Sequence, residues 1–274
     1  MLPYFRNYAF VGYVLGMAVP VLLVTAISWV TGFYIVYTLP GLIAAILLLI
    51  IGLLTAKKIV TGLADKKAAV MISLYNDGCD PQAFVDASQK VVREIRPPYD
   101  ESGSWFLSFY ALALDDLGRR DEAARIGQTM LSSAQMAQDP QVKAGLLVNI
   151  EPLVQRLFGA EQALEVVQNA QMALAGAADA DSQSRLSFLK WEQGILEAIL
   201  DGDGETLITR FSGIRTSLNY PLRIRVSYAI LEASLHKARG ESDRERECLE
   251  FVMQNGGKLP AVQLASRRLQ ELGR

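Results

Sequence analysis

The chain has 274 residues, 51% of them hydrophobic, with 27 basic residues, 29 acidic residues and one histidine. Residues 57–274 hold 26 of the basic and all 29 acidic side chains, a net charge of −3 that argues against general nucleic-acid binding, which wants a basic domain. Two cysteines, Cys79 and Cys248, stand far apart without a CxxC spacing, and a single histidine leaves little for a His-based metal site.

Residues 9–56 contain no Asp, Glu, Lys, Arg or His. They divide into two apolar segments, 9–30 and 33–56, with Thr31-Gly32 as the expected turn. A helix rises 1.5 Å per residue, so about 20 apolar residues cross a hydrocarbon core of roughly 30 Å. Both segments are long enough, and domain 1–60 is predicted to be a transmembrane helical hairpin in the lipid bilayer. Pro20 and Pro40 interrupt the segments, and Pro40-Gly41 offers a second possible start for the second helix. Ala9, Gly12 and Gly16 supply small residues for close helix approach. Arg6 precedes the first segment, and Lys57, Lys58, Lys66 and Lys67 follow the second. The positive-inside rule then puts both termini and everything after the hairpin in the cytoplasm. Tyr4, Phe5 and Tyr8 at one end, and Trp29, Phe33, Tyr34 and Tyr37 at the other, suit interfacial anchors. A cleaved signal peptide ending near Ala26-Ile27-Ser28 competes with this reading. Its apolar run exceeds the usual ~7–15 residues, and the second segment would still anchor the chain.

Beyond the hairpin, apolar residues recur at helical spacing. A glycine followed by an acidic step repeats at Gly78, Gly118, Gly159, Gly202 and Gly240, at intervals of 40, 41, 43 and 38 residues. Glycine suits a left-handed helix end, and acids suit the next helix start. A near-constant period of this length signals stacked helix hairpins. The predicted pairs are 66–95, 101–136, 140–175, 182–217 and 221–255, closed by a capping helix from Pro260 to Leu272.

Within a predicted helical repeat domain at 61–274, residues 64–257 resemble the tetratricopeptide repeat family. The resemblance rests on Gly78/Ala83 and Gly118/Ala123, on the unit from Trp105 to Leu131, and on Trp191-Glu-Gln-Gly194. The period is longer than that family's ~34 residues, so the repeats are degenerate. The resemblance implies an all-α solenoid of about five pairs, with the first (A) helix of each pair lining a concave face. It places Trp105, Asp115 and Asp116 toward that face as candidate partner-binding residues.

No phosphate loop and no HExxH occurs. The segment from Asp201 to Ser212 fails as a calcium loop, since its position 6 is Thr206. His236 reads as a packed or solvated helical residue, and the cluster Trp105, Phe106, Phe109 and Tyr110 as core. No catalytic residue, cofactor or metal is expected. Residues 99–208 carry 17 acids against 7 bases, and 209–274 carry 12 bases against 7 acids. The first range allows an acidic groove for a basic peptide. The expectation is a membrane-anchored scaffold, not an enzyme, that binds a protein or peptide and no nucleic acid. The alternative is an accessory subunit of a membrane enzyme, transporter or secretion complex, packed on another membrane protein. An extracytoplasmic chaperone is a third reading.

Overall fold

The uncharged stretch becomes two long helices. The computed structural model describes residues 2–31 and 39–273. A 3-10 turn at Pro3–Phe5 leads into α1 (Arg6–Thr31), and α2 runs Leu39–Asn76. Gly32 of the expected turn and the anchors Phe33, Tyr34 and Tyr37 lie outside the described residues. Among the described residues, α2 begins at Leu39-Pro40. It does not stop at Ala56, the expected end, but continues to Asn76. The lysines after Ala56 end the apolar stretch, yet they are good helix formers and give the backbone no reason to break. The chain forms two compact units, Met1–Ala69 and Val70–Arg274, so the division falls within α2 and later than residue 60.

In the first unit α1 and α2 pack antiparallel across small residues. Gly12 meets Val60, and Gly16 meets Gly52 and Ala56. Ala9, Ala56 and Ala64 are buried in the same seam. Pro20 lies inside α1 and has no N–H for the carbonyl of Gly16, one turn earlier. That carbonyl faces Gly52, where a Cβ would stand 2.6 Å from its oxygen. The outward side chains stay uncovered: Leu22 and Ile51 are 66% and 58% exposed. Both helices are long and apolar enough to cross a membrane.

The second unit begins with the last turns of α2. Then come α3 (Pro81–Glu94), α4 (Glu101–Asp116), α5 (Arg120–Met136), α6 (Pro140–Phe158), α7 (Ala160–Leu174), α8 (Ala180–Asp201), α9 (Gly204–Thr216), α10 (Leu222–Ala238), α11 (Ser242–Asn255) and α12 (Pro260–Leu272). The described residues are all-α, without a strand. The predicted boundaries of the last four pairs match these helices closely, because the start and stop signals are local, whereas the first pair's start at 66 falls inside α2. Asp80, Asp100, Asp139, Asp179 and Asp203 each accept a backbone N–H in the first turn of the helix that follows. Gly118, Gly159, Gly202 and Gly240 all take positive φ. Gly78 does not; Cys79 (φ 48°) holds the left-handed position instead. Gly78 is still required to be small, since a Cβ there would lie 2.7 Å from the Leu74 carbonyl oxygen.

Each helix packs chiefly on its chain neighbours, with α4 on α6 as the main skip contact. The core is a run of small apolar clusters, such as Ile195, Leu207, Phe211 and Ile214 between α8 and α9. α12 is pinned by Arg268, which bonds Glu245 of α11 and the Ala233 carbonyl of α10. The first and last hairpins also meet. Lys258 donates its backbone N–H to the Cys79 carbonyl at 2.9 Å, and its ammonium reaches Asp80 at 2.5 Å. Arg223 of α10 donates to the Asn76 side chain at 3.0 Å. Tyr75, one residue before Asn76, lies between Asp116 of α4 and Arg223 of α10.

Candidate functional site

Asp115 and Asp116, expected to line an open groove, are instead engaged inside the second unit. Their side chains are 7% and 6% exposed. The Arg156 guanidinium of α6 reaches both, with Nε donating to Asp115 Oδ2 at 2.5 Å and Nη2 to Asp116. The Tyr75 hydroxyl donates to Asp116 from the other side. Two acids at the C-terminal end of α4 oppose its helix dipole. Arg156 supplies the stabilising partner that one helix alone cannot show.

The cluster extends through Arg223, whose guanidinium lies over the Tyr75 ring, 4.6 Å from its centroid. Arg223 also lies 6.0 Å from the centre of Phe109, which meets Trp105 edge to face at 5.6 Å. Trp105 is 38% exposed, while Phe106 is fully buried and Tyr110 nearly so. Trp105 is thus the exposed end of a chain of rings and guanidinium groups that runs inward to Asp116. Burial pushes the Tyr75 hydroxyl well above its ordinary value, and Arg223 partly offsets that.

A second interior group sits deeper. Glu151 of α6 is 4% exposed, and its Oε1 finds no hydrogen-bond partner among the described residues. Burial raises its carboxyl well above the usual range, and Glu192 of α8 adds like-charge repulsion. Glu192 is raised by burial as well and is partly relieved by Arg210. Arg210 fits because it packs against Gly194, where a Cβ would stand 2.8 Å from its Nη2. It also donates to the Trp191 carbonyl at 3.0 Å. Burial and the two carboxylates hold the Tyr228 hydroxyl above its ordinary value. An acid pair of this kind retains a proton near neutral pH.

A third group surrounds His236, which is 2% exposed rather than solvated. Its Nδ1 lies 2.7 Å from Glu241, and its Nε2 lies 3.7 Å from Glu232. Cys248 closes the group from α11. Burial pushes its thiol up to about 12, so it is not a nucleophile in this setting. Cys79, also buried, is pushed up to about 11.

None of these groups was found by motif. The first two carry a spacing close to the glycine interval: Tyr75 to Asp116 and Glu151 to Glu192 are 41 residues apart, and Asp116 to Arg156 is 40. No protein-family model, curated protein or solved structure matches the chain.

Proposed function

We propose that the chain is a membrane-anchored scaffold whose second unit is a degenerate tetratricopeptide-like solenoid that holds another protein or a peptide at the cytoplasmic surface. The observation that carries this is the pair of apolar helices whose outward side chains are left uncovered, on a chain whose remaining helices are charged and internally satisfied. Lipid is the solvent that such side chains suit. The repeat reading is supported by polar contacts one period apart, which is what stacked hairpins in register produce. Trp105 is the partner contact in this reading, and Asp115 and Asp116 act by holding Arg156.

Alkaline extraction of membranes should leave the chain in the pellet. Capture from solubilised membranes should enrich a reproducible partner, and Trp105→Ala should weaken that capture several-fold. A chain extracted as a soluble protein, or one that captures nothing under several conditions, would defeat the proposal. The native thiols cannot report topology, because both are buried and resist labelling in either compartment. Ser132→Cys places a thiol on an exposed position of α5. It should stay unlabelled by impermeant maleimide until the cells are opened.

The accessory-subunit reading has one observation of its own. An apolar groove of about 690 Å³ runs between α1 and α2, lined by Val11, Val19, Ile59 and Leu63. A third apolar helix fits such a groove, and stoichiometric copurification of a polytopic membrane protein would favour this reading.

A further inference from the structure

We propose that Glu232, His236 and Cys248 form a binding site for one divalent transition-metal ion of the zinc class. The site lies between α10 and α11, and it stands independently of the scaffold reading. Glu232 and His236 are four residues apart on α10, which puts both on one face. Cys248 comes from the middle of α11, the helix that packs on that face. One donor atom from each residue falls within a group no wider than 4.8 Å, and all three residues are buried.

The donor set suits the ion. Zinc takes S, N and O donors at about 2.0–2.3 Å in a tetrahedron. By simple geometry those bond lengths put neighbouring donors about 3.3–3.7 Å apart. The Glu232 Oε1 to His236 Nε2 distance is already 3.7 Å. A small side-chain movement of Cys248 brings the third donor into range. The histidine is oriented as a metal ligand would be: Glu241 holds Nδ1 at 2.7 Å, which leaves Nε2 directed at Glu232. A carboxylate on the far ring nitrogen is the usual outer-shell partner of a ligating histidine.

Arg215 is the apparent competitor, since its guanidinium bonds Glu232 in a fork. The fork is uneven: Nε holds Oε2 at 2.8 Å, while Nη2 reaches Oε1 at only 3.3 Å. Oε1 is the oxygen that faces His236. An ion on Oε1 leaves the stronger Arg215 bond in place as an outer-shell contact. A cavity of about 200 Å³ borders the three donors and is lined further by Ser212, Arg215, Arg244 and Glu247. It provides room for water as the fourth ligand. Charge agrees as well. Arg215 and Arg244 face Glu232, Glu241 and Glu247. Counting those arginines and carboxylates alone leaves one excess negative charge. A divalent ion that displaces the Cys248 proton to solvent brings the group to neutrality. A bound ion deprotonates a coordinating thiol outright.

The test is Co²⁺ titration of the untagged full chain in detergent, followed by absorption, with Zn²⁺ as competitor. One equivalent should produce an intense thiolate-to-cobalt charge-transfer band and tetrahedral d–d bands, which Zn²⁺ then bleaches. Cys79→Ser should keep the band and Cys248→Ser should abolish it. Only two cysteines are present, so survival in Cys79→Ser assigns the thiolate even if Cys248→Ser does not fold. His236→Gln should weaken Co²⁺ binding at least tenfold. Glu241→Gln, which alters only the orienting carboxylate, should weaken it by roughly 10–100-fold. No charge-transfer band in the wild-type chain, or a band that survives Cys248→Ser, overturns the proposal.

Discussion

Replacing Arg156 with methionine tests the interior cluster most directly. Methionine keeps much of the arginine stem's packing and removes the guanidinium. Asp115 and Asp116 would then lose their guanidinium partner at 7% and 6% exposure. Breaking a buried pair by removing one partner costs about 3–5 kcal/mol. Three features lower that figure here. Arg156 is 34% exposed, the Tyr75 hydroxyl still bonds Asp116, and Arg120 stands 3.9 Å from Asp115. About 2–3 kcal/mol is expected. A unit of this size loses about 2–4 °C of Tm per kcal/mol, so the transition should fall by roughly 4–12 °C. Asp115→Asn with Asp116→Asn should cost less, about 1 kcal/mol, because an unpaired Arg156 can turn toward water. The triple variant should match the double asparagine chain and not the sum of the two. Far-UV circular dichroism melts of the full chain in detergent, at low salt and at 0.5 M salt, make the measurement. A buried cluster is insensitive to salt, whereas surface acids are not. If Arg156→Met melts with the wild type, or the losses simply add, Arg156 does not hold the two acids.

Three further outcomes follow from the same geometry. Glu151 and Glu192 have raised folded values, so their protonated forms favour the fold. That contribution is complete below the ordinary carboxyl value of 4.5 and is lost as pH rises through the raised values. Glu151→Gln should therefore stabilise by about 2 kcal/mol at pH 9 and by little at pH 5, and parallel pH profiles of Tm would refute this. Gly118→Val should lower Tm more than Gly204→Val, because Gly118 sits at φ 76° and Gly204 is the first residue of α9; equal Tm values would count against it. Gly52→Val should force α1 and α2 apart and slow disulfide formation between Gly12→Cys and Val60→Cys, and unchanged cross-linking would place the seam elsewhere.

Helix positions were largely legible in the sequence because capping is a local matter. Asp139 and Pro140 announce α6, and Gly118 ends the α4 turn, without reference to any other part of the chain. The end of the second apolar helix was not legible at Ala56, because loss of hydrophobicity resembles a boundary even when helix propensity continues. The candidate residues were the hardest to read. Trp105 was found in a half-exposed place, but Asp115 and Asp116 looked unpartnered because their partner lies about 40 residues on. The glycine spacing already carried that offset. Applied to polar residues, it would have paired Tyr75 with Asp116, Asp116 with Arg156, and Glu151 with Glu192. His236 shows the opposite limit. Its neighbour Glu232 is visible at a four-residue spacing, but Cys248 joins it only through the packing of α11 on α10.

The charge asymmetry gains a physical reading from these placements. Of the 17 acids in residues 99–208, Asp100, Asp139, Asp179 and Asp203 satisfy helix starts. Asp115 and Asp116 share Arg156, and Glu151 and Glu192 are buried against each other. Glu101, Asp181, Glu122 and Glu205 pair with Arg185, Arg119 or Arg239. An acidic surface built for a basic peptide would leave its carboxylates unengaged, whereas these twelve, half of them exposed, are each engaged within the second unit. The basic excess further along behaves the same way. Arg215 and Arg268 bond buried carboxylates, and Arg223 lies over Tyr75. Much of the charge asymmetry in this chain therefore reflects how its helices satisfy their own ends and interior.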